Sequence, residues 1–278
     1  MAGPMPAELV RRSAAYLERH GVDSPTANAE TLLMHVLGTD RAGLYARREG
    51  LDTQSARLFG RALCRRCAGT PLQHLTGEQA FLDRTLTVRP GVFVPRPETE
   101  IVVERCLALL AGIEAPHIAD VGTGTGAIAL ALKQERPDAI VVATDSSADA
   151  LELAQENAAA NELEIEFVEG DLLADIAGPL DLVVSNPPYV GAEELDALEP
   201  EVREWEPRGA LVDEGQTLRL ARDAQSVLEG WLVLEVHEEH AQALSGEVMK
   251  LGYRAVSIAL DLSGRERVLE AQWGTSNA

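Results

Sequence analysis

The stretch Asp120-Val-Gly-Thr-Gly-Thr-Gly126 follows the apolar run HIADV (117–121) and opens a helical run beginning at Ala127. A strand, a glycine-rich turn and a helix in immediate succession predict an α/β fold. Glycines let a backbone turn tightly and come close to a ligand, and the first turn of the helix presents free N–H groups. Working outward, further strand candidates are AIVVATD (139–145), IEFVEGD (165–171), DLVVSN (181–186) and WLVLEV (231–236). Helical stretches over 127–135 and 148–161 lie between the first three, and a longer irregular insert separates Asn186 from a helix beginning near Thr217. Near-continuous apolar strands alternating with amphipathic helices predict a parallel sheet covered on both faces. The tail YRAVSIALDLSGRERVLEAQ (253–272) reads as two strands joined by an Asp-Leu-Ser-Gly turn. The expected architecture is α/β: a Rossmann-like, mostly parallel seven-stranded sheet with an antiparallel last strand.

The first 75 residues read as helices only. Ser24-Pro25 offers an N-cap followed by proline at the first helical position, with Leu32, Leu33, Val36 and Leu37 at helical spacing and Gly38 as C-cap. A second helix starts near Thr53, carries Leu58, Phe59, Ala62 and Leu63, and ends at Gly69-Thr70-Pro71. Phe81 to Val88 alternates like a hairpin or extended linker. The expected organisation is a small helical bundle over 1–75, a hairpin or linker over 76–90, and the α/β domain over 91–278.

Charge narrows the function classes. The net charge of −21 divides into +3 for residues 1–75, which hold ten Arg, no Lys and seven acidic residues, and −24 for the rest. Nucleic-acid binders neutralise phosphates with Lys and Arg, so a region at −24 is a poor candidate for unaided nucleic-acid binding. Cys64, Cys67 and Cys106 form an odd, sparse set that suits a reducing compartment. The N-terminus lacks an apolar signal core, and no window approaches the ~20 apolar residues that cross a bilayer. A cytoplasmic protein without membrane attachment is expected. Cys64-Arg-Arg-Cys67 lacks a second pair, and His237-Glu-Glu-His240 does not match HExxH and reads as a loop or helix start. No metal site is expected.

The glycine loop alone does not identify the cofactor. Gly122, Gly124 and Ala127 also fit the dinucleotide pattern G-x-G-x-x-G/A, and Asp145, ending the next strand, suits ribose hydroxyls in either case. Two features favour S-adenosylmethionine. Asp120 precedes the first glycine, where polar groups face the charged methionyl part of that cofactor, and Asp171 ends the third strand in a Gly170-Asp171-Leu172 turn suited to an adenine amino group. Thr123, Gly126 and Leu172 complete the expected cofactor residues.

The fourth strand runs directly into Asn186-Pro187-Pro188-Tyr189. Prolines lack N–H donors and stiffen the backbone, which leaves carbonyls free to point into a site. The Asn186 side chain adds an acceptor and Tyr189 a flat face, a set matched to a planar NH₂ group. An amide nitrogen is a poor nucleophile because its lone pair is delocalised into the carbonyl. Two acceptors holding its hydrogens orient the lone pair and stabilise charge developing on nitrogen, without a strong base. Asn186 is also expected among the cofactor residues.

With these motifs, the sequence resembles the bacterial release-factor glutamine methyltransferases, which modify the glutamine of a Gly-Gly-Gln motif. The resemblance runs over PLQHLTGE (71–78), VFVPRPETE (92–100), DVGTGTGAIALAL (120–132), SNPPYV (185–190), EPRGAL (206–211) and DLSGRERV (261–268). It implies that Asn186 and the Pro187 carbonyl bind the substrate amide, with Pro188, Tyr189 and Phe93 packing around it. It also implies the class I S-adenosylmethionine-dependent methyltransferase fold, with 91–278 as the methyltransferase domain and 1–75 as the substrate-docking domain, S-adenosylmethionine as cofactor, S-adenosylhomocysteine as product and release factors as protein partners. Arg96, Glu98 and Thr99 read as a helix start. Trp205 stands where a Phe or Tyr is expected, and His237 where a small residue is expected. The alternative activity is methylation of a DNA or RNA exocyclic amine of the adenine N6 type. It would require base flipping on a duplex, and no basic recognition domain is evident.

Overall fold

The computed structural model of the chain describes residues 4–274. Two compact units divide it. One runs to Glu78 and includes Glu199–Trp205; the other comprises Gln79–Leu198 and the residues from Glu206 onward.

The first unit contains α1 (Pro6–Arg19), α2 (Pro25–Leu37), α3 (Arg41–Ala46), α4 (Thr53–Cys67) and α5 (Leu72–Thr76). Its core gathers Val10, Ala14 and Leu17 of α1, Leu32 and Leu33 of α2, Leu44 of α3 and Phe59 of α4. Asp52 caps α4 by accepting from the N–H groups of Gln54 and Ser55 at 2.8 and 2.9 Å. Gly38 ends α2 at φ +58°, where a side chain would be strained. Ser24 precedes Pro25 as expected, but its hydroxyl makes no capping bond. Its backbone is left-handed, and the Asn28 amide instead donates to the carbonyls of Asp23 and Ser24.

The compact units meet at Glu78, and Glu199–Trp205 from the later chain groups with the helices. Arg66, 9% exposed, explains why a distant segment joins the helices. It donates to Asn28 Oδ1 at 2.7 Å, the Thr70 carbonyl at 3.1 Å and Glu201 Oε2 at 2.8 Å. A buried guanidinium needs such partners to offset its desolvation.

In the second unit a hairpin of β1 (Glu78–Phe81) and β2 (Arg84–Thr87) precedes a 3₁₀ turn at Pro97–Thr99 and α6 (Glu100–Leu109). The alternating region follows: β3 (His117–Val121), α7 (Ala127–Glu135), β4 (Ile140–Asp145), α8 (Ala148–Ala160), β5 (Glu166–Glu169) and β6 (Leu180–Ser185). The insert after β6 carries α9 (Pro200–Trp205), which falls in the first unit, then α10 (Arg208–Leu211) and α11 (Gln216–Ala224). β7 (Leu228–Glu235), α12 (Glu238–Lys250), β8 (Arg254–Leu260) and β9 (Glu266–Gln272) complete the chain.

The seven strands lie in the order β5-β4-β3-β6-β7-β9-β8, with β9 antiparallel to both neighbours. Alternate residues feed opposite faces. Ile118 and Val184 pack with α6 and α7, while Ala119, Val121 and Val183 pack with Leu220 of α11 and Val248 of α12. Strand order reverses between β3 and β6, the kind of switch point at which open α/β sheets bind ligands. Among the described residues, no helix is long and apolar enough to cross a membrane.

The glycine loop is held from beneath by a buried carboxylate. Asp120 is 1% exposed; its Oδ2 accepts from the Thr123 hydroxyl at 2.6 Å and the Ala129 N–H at 3.1 Å, while Oδ1 has no partner. Burial pushes its pKa up to about 6, against the pull of those two hydrogen bonds. Because the folded value lies above the unfolded one, the stability contributed by this group is present at low pH and lost as pH rises through 6. Urea unfolding should therefore show wild type losing roughly 2 kcal/mol relative to Asp120→Asn between about pH 4.5 and about pH 7.5. A difference that is flat or rises across that window would contradict the assignment.

Candidate active site

One cavity of about 600 Å³ opens where β3, β4, β5 and β6 end. That size suits a small-molecule cofactor and part of a substrate. Its wall includes Gly122, Thr123 and Gly124 from the glycine loop, Asp145 after β4, and Asp171 and Leu172 after β5. Asn186, Pro187, Pro188 and Tyr189 line it after β6, and Phe93 and Thr99 line it from the segment before α6. Two residues expected at the cofactor are not part of this wall. Asp120 faces the core, as described. Gly126 is a packing residue at φ +84°, a backbone that strains any side chain, and a Cβ there would sit 2.5 Å from Leu130 Cδ1 and 3.2 Å from Ala154 Cβ of α8.

The loop itself is a cradle. Gly122 and Gly124 have φ of +71° and +56°, and a Cβ on either would meet nothing within 4 Å. The N–H groups of Gly122 and Thr123 both donate to the Thr144 carbonyl, at 2.8 and 3.0 Å, which fixes the loop to β4. Asp145 adds a brace, with Oδ2 accepting from the Gly124 N–H and Oδ1 from the Ser147 N–H, each at 2.9 Å. Burial raises its pKa, although each oxygen keeps a lone pair for a ligand hydroxyl. Open space over two glycines and the Asp145 carboxylate at the cavity wall fit a cofactor bearing a ribose. Asp171 is exposed and paired with Arg219 of α11, Nη2 to Oδ1, at 2.5 Å. Leu172 lines the cavity at φ +57°, an uncommon backbone for leucine of the kind that concentrates at functional sites.

At the other end of the cavity, the Pro188 carbonyl accepts from the Thr217 hydroxyl at 3.2 Å. Among the described residues no donor is bonded to the Pro187 carbonyl. Asn186 is half-buried and donates from Nδ2 to the Thr99 hydroxyl at 3.3 Å. The Tyr189 ring stacks on His237, with centroids 5.9 Å apart and planes 28° apart. Burial raises the Tyr189 pKa, so its hydroxyl stays neutral. His237 is a helix start, its side chain capping α12 through the Glu239 N–H at 3.4 Å.

Sequence reading missed four supports of this site. Glu206, 8% exposed, accepts from Arg96 Nη2 at 2.9 Å and from the Val94 N–H at 3.3 Å. It thereby bonds VFVPRPETE to EPRGAL, and the Arg96 guanidinium lies 5.1 Å over the Phe93 ring. Thr99, Arg219 and Glu235 are the others. Glu235 ends β7 almost fully buried, and a lone acid closing the apolar run WLVLEV was the signal that could have marked it.

Comparison with known proteins agrees with this geometry. Residues 84–218 match the methyltransferase small domain, and residues 8–77 match the PrmC N-terminal domain. A release factor glutamine methyltransferase of Deinococcus radiodurans is 42% identical over 272 residues, covering 95% of this chain and 97% of that one. The protein of the same name from Koribacter versatilis is 39% identical, covering 94% and 96%. Among solved structures, the hMettl16 catalytic domain in complex with an RNA hairpin superposes with a TM-score of 0.54 at 16% identity, covering 80% of this chain and 93% of that one. That likeness speaks to the fold alone. Full-length identity of this order, together with both matched domains, means that the chain belongs to the release factor glutamine methyltransferase family.

Proposed function

We propose that this protein transfers a methyl group from S-adenosylmethionine to the side-chain amide nitrogen (N5) of a release-factor glutamine, the one in the Gly-Gly-Gln motif. The observation that carries the reading is the pairing, on one cavity wall, of the Asn186 carboxamide with a Pro187 carbonyl that no described donor engages. These are two acceptors for the two hydrogens of one planar amide.

Gly122, Thr123, Gly124, Asp145, Asp171 and Leu172 would hold the cofactor, which supplies a methyl group on a positively charged sulfur. Asp120 and Gly126 support that loop rather than touch the ligand. Asn186 Oδ1 and the Pro187 carbonyl hold the substrate nitrogen, turn its lone pair toward the methyl group and stabilise the charge that develops on it. Tyr189, backed by His237, presents its free face to the amide plane, and Phe93 and Pro188 exclude water. Neutral acceptors suffice because the nitrogen becomes acidic as the methyl arrives: the S–CH₃ bond breaks to leave neutral S-adenosylhomocysteine, and the amide proton passes to solvent.

The helical unit would dock the release factor in the cytoplasm, where translation ends. Its α4 carries Arg57, Arg61 and Arg65 at four-residue spacing, all exposed, a basic stripe suited to an acidic protein surface.

Mass spectrometry of a release factor incubated with the protein and S-adenosylmethionine tests the reaction. One added methyl on the Gly-Gly-Gln glutamine is expected, and Asn186→Ala should lower kcat by at least ~100-fold with cofactor affinity nearly unchanged. Methyl transfer elsewhere, or full activity in Asn186→Ala, would overturn the reading. Reversing Arg57, Arg61 and Arg65 to Glu should raise KM for the release factor about tenfold at low salt and leave cofactor affinity intact. An unchanged KM would remove α4 from the docking surface.

A further inference from the structure

Behind Asn186 lies a buried acid that the reaction as derived does not use. β6 and β7 are parallel with Ser185 opposite Leu234, so Asn186 and Glu235 leave the paired strands side by side. Glu235 is 2% exposed, and its Oε2 has no hydrogen-bond partner. The side chains of Thr99 and Asn186 lie beside its carboxyl group and favour its charged form. Thr99, 3% exposed, in turn accepts from Asn186 Nδ2 at 3.3 Å. A fold has no need of a carboxylate there; an apolar side chain of that size would avoid the desolvation cost. Arg267 is close enough to favour its charge, but the ion partner of Arg267 within bonding distance is Asp261, at 3.6 Å.

We propose that Glu235 and Thr99 are positioning residues that hold the Asn186 carboxamide with Nδ2 turned inward and Oδ1 turned toward the substrate amide. The inference deepens the function proposed above and rests on it. A carboxylate only accepts hydrogen bonds, and a threonine hydroxyl has one hydrogen. When that hydrogen goes to Glu235, the Thr99 oxygen can only accept, so the end of Asn186 that faces Thr99 must be the NH₂. The carbonyl end then faces the cavity, where a substrate NH₂ requires an acceptor. The orientation of a side-chain amide is set by its network, and here one anion fixes the whole network.

Protonation would release it. A neutral Glu235 can donate to Thr99, whose hydroxyl can then donate to Asn186 Oδ1, leaving Nδ2 to oppose the substrate's own N–H groups. Burial pushes the Glu235 pKa up to about 7, so both states are accessible near neutrality. The groups facing it are Thr99 and Glu98 from the 3₁₀ turn, Asn186 and Tyr189 after β6, and Arg267 from β9. Thr99, Arg267 and Asn186 favour the anion, and Glu98 opposes it.

The test compares wild type with Glu235→Gln, Thr99→Val and Thr99→Ser, using a release factor as substrate and calorimetry of S-adenosylmethionine binding as a control for folding. Glu235→Gln and Thr99→Val should each lower kcat ten- to a hundredfold, the range for removing a supporting hydrogen bond, while cofactor affinity stays within about twofold. Thr99→Ser, which keeps the hydroxyl, should recover at least about tenfold of the loss in Thr99→Val. Wild-type kcat should rise with pH through about 7, and that inflection should be absent from Glu235→Gln. An active wild type whose kcat and pH profile are matched by Glu235→Gln would overturn the inference alone. If Glu235→Gln loses cofactor binding, the Thr99 pair decides: equal activity in Thr99→Val overturns the inference, and loss with rescue by Thr99→Ser supports it. A wild type that methylates no release factor would overturn the proposed function, and this inference with it.

Discussion

Everything at the site depends on where three parallel strands stop. Val121 at the end of β3 is paired with Thr144 on one side and Ser185 on the other, and the Ser185 hydroxyl donates to the Val121 carbonyl at 2.6 Å. That register places the glycine loop, Asp145 and Asn186 on one edge of the sheet. A parallel sheet with helices on both faces has its ligand edge where the order reverses, here between β3 and β6. One residue of slip would turn each strand's core face outward, so the apolar pattern that builds the core also fixes the site.

The site is held by charges with little access to water. Asp120, Glu206 and Glu235 are each less than a tenth exposed. Two of them close loops that would otherwise be free: Asp120 the turn after β3, and Glu206 the junction between the segment before α6 and the insert after β6. Each costs desolvation, which specific donors offset at Asp120 and Glu206, and the return is geometric: a short-range hydrogen bond sets orientation as apolar packing cannot. Preorganisation of this kind suits a reaction in which the protein must aim a weak nucleophile and has little proton transfer to perform.

Much of this was legible in the sequence because the relevant physics is local. Five apolar runs of four to eight residues could be strands of little else than a covered sheet, and the strands form within a few residues of those runs. The residues of NPPY and the open glycines Gly122 and Gly124 likewise all line the cavity. Legibility ended where a residue's role depends on distant neighbours. Asp120 and Gly126 share the motif but do not line the cavity, since the pleat turns one into the core and the other packs between α7 and α8. The hold of Arg66 on Glu201 spans 135 residues, and no local pattern announces it. Ser24 had the right chemistry for a cap, and only its left-handed backbone withholds it.

The most direct measurement is a structure of the protein with S-adenosylhomocysteine and a Gly-Gly-Gln peptide. The glutamine amide nitrogen should lie within ~3.2 Å of both Asn186 Oδ1 and the Pro187 carbonyl oxygen, with the Tyr189 ring against its plane. A glutamine nitrogen held by other groups, or an Asn186 carboxamide turned away from it, would contradict the claim that two neutral acceptors prepare the amide for methylation.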